Sequence, residues 1–276
     1  MKRIIVSDSS SNIFAIPGAA YTTVPMKVIF GGKEYVDTPD LDVKEMVDDL
    51  RQHKGKSGSS CPNVQEWLDA FGDADEVFGL TISKNLSGSY NSACSAKKIY
   101  EAENEGKRVF VLDTLSAGPE ITLVIEKLEE CIDDGMSYED ICDFITGYLK
   151  KTGLIFMLKS LKTFANNGRV SPLVAKLVGI AGICIVGKAS DEGTLEPLHK
   201  CRGEEKALAA IVEETADVKL LQSLDDGGIV CIGELSAAGA DGGSGGMCQL
   251  GNGGSGNIGQ VDEISLEDAL CAEAGS

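Results

Sequence analysis

Three short runs concentrate hydroxyl side chains: Ser7-Asp8-Ser9-Ser10-Ser11, Ser59-Ser60-Cys61-Pro62 and Leu86-Ser87-Gly88-Ser89-Tyr90. Hydroxyls beside unpaired backbone N–H groups at helix starts can hold an oxyanion without a full positive charge. The chemistry these residues suggest is therefore capture of an anionic group. Nucleophilic attack by one of the serines is a second possibility, because a serine paired with a base can act on an acyl group. The sequence holds only two histidines, His53 and His199. That leaves little material for a Ser-His-Asp triad or a histidine-rich metal centre, and no metal site is expected.

Other motif matches are weak. Gly242-Gly243-Ser244-Gly245-Gly246 satisfies G-x-S-x-G, and Gly251 to Gly256 satisfies G-x-G-x-x-G. A segment made mostly of Gly and Ser matches such patterns by chance, and neither match has the strand before it and helix after it that the chemistry requires. Gly55-Lys56-Ser57 resembles the end of a phosphate loop, but Leu50 stands where the first glycine should be, so it reads as a solvated turn. Arg169 and Arg202 are islands of positive charge, suited either to surface ion pairs or to docking an anionic group.

The elements that would position these runs are set by periodicity. Residues 3–7 and 23–30 read as strands, as do Val77–Ile82 and Arg108–Asp113. Asp42 with Glu45, and Asn63 with Glu66, have the spacing of capping boxes before the apolar stripes Val43, Met46, Val47, Leu50 and Val64, Trp67, Leu68, Phe71. Ser59 to Pro62 would then be the loop before the second of these helices. A helix through about Ala102 comes after Ser87-Gly88-Ser89. Two more come after Asp113, the first carrying Ile121, Val124, Ile125, Leu128 and Ile132 and stopped by Gly135, the second capped by Ser137. Alternating strands and helices imply a parallel, doubly wound sheet with its ligand crevice at the carboxyl ends of the strands, where the serine runs fall.

The pattern restarts near residue 151. Leu154–Leu158, Ile183–Val186 and Thr194–His199 read as strands, Glu204–Glu214 as a helix, and further helices flank Asn166-Asn167-Gly168-Arg169. We therefore expect an α/β protein of two domains, 1–150 and 151–276. Between Gly227 and Gly259 there are 13 glycines, and apart from Ile229 to Ile232 this stretch reads as loop or linker.

Composition narrows the function. The 276 residues, 43% hydrophobic, suffice for two cores. With 25 basic against 43 acidic residues and a net charge of −18, nucleic acid and anionic membrane surfaces are poor partners. No apolar stretch is long enough for a bilayer span or a signal-peptide core. Nine scattered cysteines read as buried thiols in a reducing compartment. The expectation is a soluble cytoplasmic protein.

Taken in order, the runs resemble the DegV family. The likeness rests on Val6-Ser7-Asp8-Ser9-Ser10, Val24-Pro25-Met26-Lys27-Val28 with Tyr35-Val36-Asp37, and Ser59-Ser60-Cys61-Pro62. It rests further on Ile82 to Ala93, Val111-Leu112-Asp113-Thr114 and Asn167-Gly168-Arg169-Val170-Ser171, and it spans roughly residues 1 to 215. The resemblance implies an N-terminal three-layer domain with a parallel sheet and a second α/β domain with a mixed sheet. It further implies a lipid-binding protein, not itself an enzyme, that needs no cofactor. One long-chain fatty acid would lie in an apolar interdomain tunnel, its carboxylate held at Ser59, Ser60, Ser87 and Gly88. The partner it implies is the catalytic subunit of a bacterial fatty acid kinase, which makes acyl phosphate with ATP. Asp8, Ser9, Ser10, Arg169 and Arg202 are implied at the pocket mouth or the docking face. Cys61 replaces the family's usual glutamine, and the family's C-terminal histidine has no counterpart among the Gly/Ser repeats. Two alternatives use the same crevice: a small-molecule serine hydrolase, and a sensor whose bound lipid controls another partner.

Overall fold

The computed structural model describes residues 1–159, 182–216, 229–234 and 248–250. Its first sheet is built from β1 (Arg3–Asp8) and β2 (Tyr21–Val24), after which the chain leaves for an excursion through β3 (Lys27–Phe30), β4 (Lys33–Val36), α1 (Val43–Gln52), β5 (Gly58–Ser60) and α2 (Val64–Phe71). It returns as β6 (Glu76–Thr81), α3 (Ser89–Glu103) and β7 (Arg108–Asp113), and continues into α4 (Pro119–Asp133) and α5 (Tyr138–Leu149). The strand order is β2-β1-β6-β7, with every pair parallel.

Adjacent residues of a strand face opposite ways, so each strand supplies two cores. Val6, Val77 and Val109 pack with Trp67 and Phe71 of α2 and Ala93, Ala96 and Tyr100 of α3. Ile5, Phe78, Leu80 and Leu112 pack on the other face against Ile121, Val124, Ile125 and Leu128 of α4 and Ile141 and Ile145 of α5. This is the three-layer arrangement expected from the alternation of elements. β6 is buried along its whole length, as a central parallel strand must be.

The helix signals act as the spacing predicts. Asn63 and Glu66 form a reciprocal capping box at the start of α2, and the Ser137 side chain accepts from Asp140 N; at α1 the expected box is one-sided, Asp42 accepting from Glu45 N at 2.9 Å. Pro119 opens α4, where a missing N–H leaves no bond unmade, and Gly135 beyond its end takes φ +72°.

Two readings of the excursion are corrected. Residues 23–30 are not one strand, because Pro25 has no N–H for the ladder and the chain leaves the parallel sheet there. Beyond Pro25 the chain builds a separate antiparallel sheet of order β4-β3-β5, with Phe30, Met46 and Val47 as its core. Nor is the segment before α2 all loop. Gly58–Ser60 pairs with Lys27–Ile29 and becomes the edge of this small sheet.

The second sheet contains β8 (Thr152–Leu158), β9 (Ile183–Ala189), β10 (Leu195–Arg202), β11 (Ile229–Glu234) and β12 (Cys248–Leu250), with α6 (Glu204–Ala216) between β10 and β11. Its order is β10-β9-β8-β11-β12, and it is mixed: β8 runs parallel to β11 and antiparallel to β9. Within the glycine-rich stretch, β11 takes up the apolar run at Ile229–Ile232, and Cys248–Leu250 adds a strand where a loop was expected. Ile155, Met157, Cys184 and Val186 pack under α6 through Ala207 and Ile211. The opposite face carries Leu154, Phe156, Leu158, Ile185 and Leu195. These pack against Ala117, Leu123, Ile82 and Leu86 of the first unit. The helices expected around Asn166–Arg169 and the glycine patterns at 242–246 and 251–256 lie outside the described residues.

Candidate functional site

The carboxyl ends of β1 and β6 converge on Asp8. This residue caps the short 3-10 turn Ser9–Ser11 and is fully buried. One carboxylate oxygen accepts from Ser10 N at 3.3 Å and from the Ser10 hydroxyl; the other accepts from Ile82 N at 3.0 Å and Ser89 Oγ at 2.6 Å. Burial pushes the Asp8 carboxyl up, and the bonds from Ser10, Ser89 and Ile82 hold it down in part. Ser9 is also buried, with Oγ accepting from Met26 N at 3.0 Å. It hydrogen bonds Asp37, whose carboxyl burial likewise raises. Asp8 and Ser9, expected at the pocket mouth or docking face, are therefore internal, their side-chain oxygens taken up by the protein's own donors. Ser10 is half-buried at their side.

Ile82 ends at a tight loop in which Leu86 N and Ser87 N donate to Ser83 O at 2.9 and 3.1 Å. Ser89 then opens α3, its N–H donating to Ser87 Oγ at 3.3 Å. Ser87 is half-buried and Gly88 exposed. The second serine run lies alongside: a Cβ on Gly88 would fall 3.1 Å from Cys61 Sγ. On that run Ser59 is exposed opposite Val28, while Ser60 Oγ donates to Cys61 O at 3.2 Å. All three hydroxyl runs therefore meet, two at Cys61–Gly88 and two at Asp8–Ser89.

The floor of this loop cluster is apolar. Ile82 and Leu86 belong to the cluster that joins α4 to the inner face of the second sheet. Over it closes the turn between β9 and β10, with Asn85 Nδ2 donating to Glu192 O at 2.6 Å. Gly193 (φ +73°) is pressed against Leu115 and the Ser83 hydroxyl. A row of hydroxyl and backbone donors beside a hydrocarbon-lined seam suits an amphipathic anion better than a compact polar one.

The remaining expected residues are dispersed. Arg202 is exposed at the end of β10, on the second sheet. Arg169 lies outside the described residues. His199 pairs with Glu214, Nε2 to Oε1 2.5 Å, and His53 packs on Phe30. Neither histidine joins the serine cluster through any of these contacts. The described cysteines, Cys61, Cys94, Cys131, Cys142, Cys184 and Cys201, are thiols outside any disulfide. Among the described residues no group of His, Cys, Asp and Glu could hold a metal ion, and no helix is long and apolar enough to cross a membrane.

Two buried acids are hidden from a reading of the sequence. Asp8 is expected near the pocket but not as its internal acceptor; the signal is its position between an apolar strand and a hydroxyl run. Glu120 is buried in the first turn of α4, accepting from Thr152 Oγ1 at 2.6 Å and from the Ser116 hydroxyl. In sequence it looks like an ordinary acid at a helix start.

Relatives of this chain share its architecture. The family model described as "Uncharacterised protein, DegV family" matches residues 2–240. A DegV domain-containing protein of Streptococcus pneumoniae is 39% identical over 214 residues, 76% of each chain. Among solved structures, a DegV family protein from Eubacterium eligens loaded with heptadecanoic acid is 39% identical, with TM-score 0.75 over 78% of each chain. The Streptococcus pneumoniae fatty acid kinase (Fak) B3 protein loaded with linoleic acid is 37% identical, with TM-score 0.76 over 79% of each. With a parallel sheet, a mixed sheet and this extent of likeness, the chain belongs to the DegV family.

Proposed function

We propose that this protein binds one long-chain fatty acid along the seam between its two large sheets and presents the carboxylate to a separate ATP-dependent fatty acid kinase, which forms the acyl phosphate. The observation that carries the reading is the 37–39% identity to two proteins loaded with heptadecanoic and linoleic acid. The physical chemistry agrees. Each buried methylene contributes about 0.8 kcal/mol, so the tail can supply most of the affinity. The head must still find donors, since an unpaired buried carboxylate is strongly disfavoured. Ser59, Ser60, Ser87 and the backbone at Gly88 are the groups we assign to it, the Ser60 hydroxyl turning from the Cys61 carbonyl to do so.

Uncharged donors leave the carboxylate accessible to a phosphoryl donor, and catalysis falls to the kinase. A serine hydrolase would need a base, and the two histidines are engaged on Glu214 and Phe30. Arg202, exposed on the second sheet, and Arg169 are assigned to kinase docking or the pocket mouth, and the complex would work in the cytoplasm. The sensor reading needs a partner other than a kinase. Native mass spectrometry of protein purified from a bacterial host tests the proposal. A co-purified acyl chain is expected; a protein that is empty and stays empty when offered heptadecanoic acid overturns it.

A further inference from the structure

The Ser87 hydroxyl can give one proton and accept through its lone pairs. Its oxygen accepts from Ser89 N, and its proton goes to no described residue. Ser89 is fixed in turn, because its own hydroxyl proton is taken by Asp8 Oδ2 at 2.6 Å. The same Asp8 oxygen holds Ile82 N at 3.0 Å, at the other end of the Ser83–Gly88 loop. One buried carboxylate oxygen therefore pins both ends of the loop that carries Ser87.

We propose that Asp8 is a positioning residue for head-group recognition: by anchoring Ser89 and Ile82 it fixes the direction in which Ser87 offers its proton to the bound acid. This rests on the fatty-acid reading above and deepens it. Asp8 never touches the ligand. Its contribution is to order the loop before binding, so that the donor is already aimed when the acid arrives. Replacing the carboxylate with an amide, as in Asp8→Asn, leaves one acceptor arm and one donor arm, and the donor arm would face an N–H or O–H in whichever orientation it took.

The test compares heptadecanoic acid with its methyl ester, which shares the tail and lacks the anionic head, by titration of delipidated protein. Asp8→Asn and Ser89→Ala are expected to weaken binding of the acid tenfold or more and to leave the ester within twofold, while Ser89→Thr, which keeps the hydroxyl, restores the acid. A purely structural role would weaken acid and ester together, and that result overturns the proposal. Should Asp8→Asn fold poorly, the double variant Ser87→Ala/Ser89→Ala decides. It is expected to bind the acid no more weakly than Ser87→Ala alone, and independent, multiplying losses overturn the relay. A wild-type protein that binds neither ligand overturns the fatty-acid reading itself and the proposal with it. Retained wild-type binding with unaffected variants removes Asp8 alone.

Discussion

Gly193, in the turn between β9 and β10, lies so close to Leu115 that a Cβ on it would fall 2.8 Å from Leu115 Cα and 2.9 Å from its carbonyl oxygen. Both residues have positive φ, +73° for Gly193 and +54° for Leu115. Two left-handed turns therefore interlock where the second sheet meets the loops of the first, and only a residue without a side chain fits on one side. Gly193→Ala adds the left-handed backbone cost to a direct clash, and we expect it to destabilise the protein by about 2 kcal/mol or more. Urea denaturation measures this, and an unchanged midpoint would contradict the contact.

Ser87→Ala is expected to weaken fatty-acid binding by roughly tenfold to a hundredfold, the range for losing a hydrogen bond to a charged group. Isothermal titration with heptadecanoic acid reads it directly. Unchanged affinity would remove Ser87 from the site.

Burial raises the Glu120 carboxyl, against hydrogen bonds from Ser116 and Thr152 that lower it. An acid held above its unfolded value binds its proton more tightly in the native state. It costs no stability below the ordinary carboxylate range, and the cost grows as pH climbs through that range toward the raised value. Glu120→Gln stays neutral throughout. The variant is therefore expected to gain stability relative to wild type as pH rises from about 4 toward 7. Parallel melting curves across that range would show that Glu120 does not titrate in this way.

Trp67, the sole tryptophan, is buried with its Nε1 unpartnered among the described residues. Trp67→Phe keeps an aromatic ring and discards an unsatisfied donor, so we expect it to cost less than about 1.5 kcal/mol. Trp67→Ala should cost about 3–5 kcal/mol. Guanidinium titration monitored by circular dichroism reads both; a Trp67→Phe cost well above that bound would mean that the indole N–H is satisfied in solution.

Elements governed by local chemistry were legible in the sequence. The Asn63–Glu66 box, the Ser137 cap and the uninterrupted apolar run of β6 are short-range signals, and the structure obeys them. What escaped depends on partners far away in the chain. Ser59 looks like loop until Val28 is found opposite it, and Cys248–Leu250 has no strand pattern beyond its pairing with β11. The convergence of the hydroxyl runs was foreseeable from strand ends. The burial of Asp8 was not, because the donors that satisfy it come from Ile82 and Ser89, more than seventy positions downstream.

β8 is held between β9 and β11, with Thr152 paired to Ile229 and Met157 to Glu234. During translation the four parallel strands are all available once Asp113 has left the ribosome, whereas β8 keeps one naked edge until Glu234 emerges. The run Leu154–Leu158 must wait in that condition through much of synthesis, and unpaired apolar edges are what nascent chains aggregate through. Vectorial assembly thus finishes the parallel sheet early and leaves β8 dependent on β11, which makes Leu154–Leu158 a stretch that a holding chaperone has reason to cover.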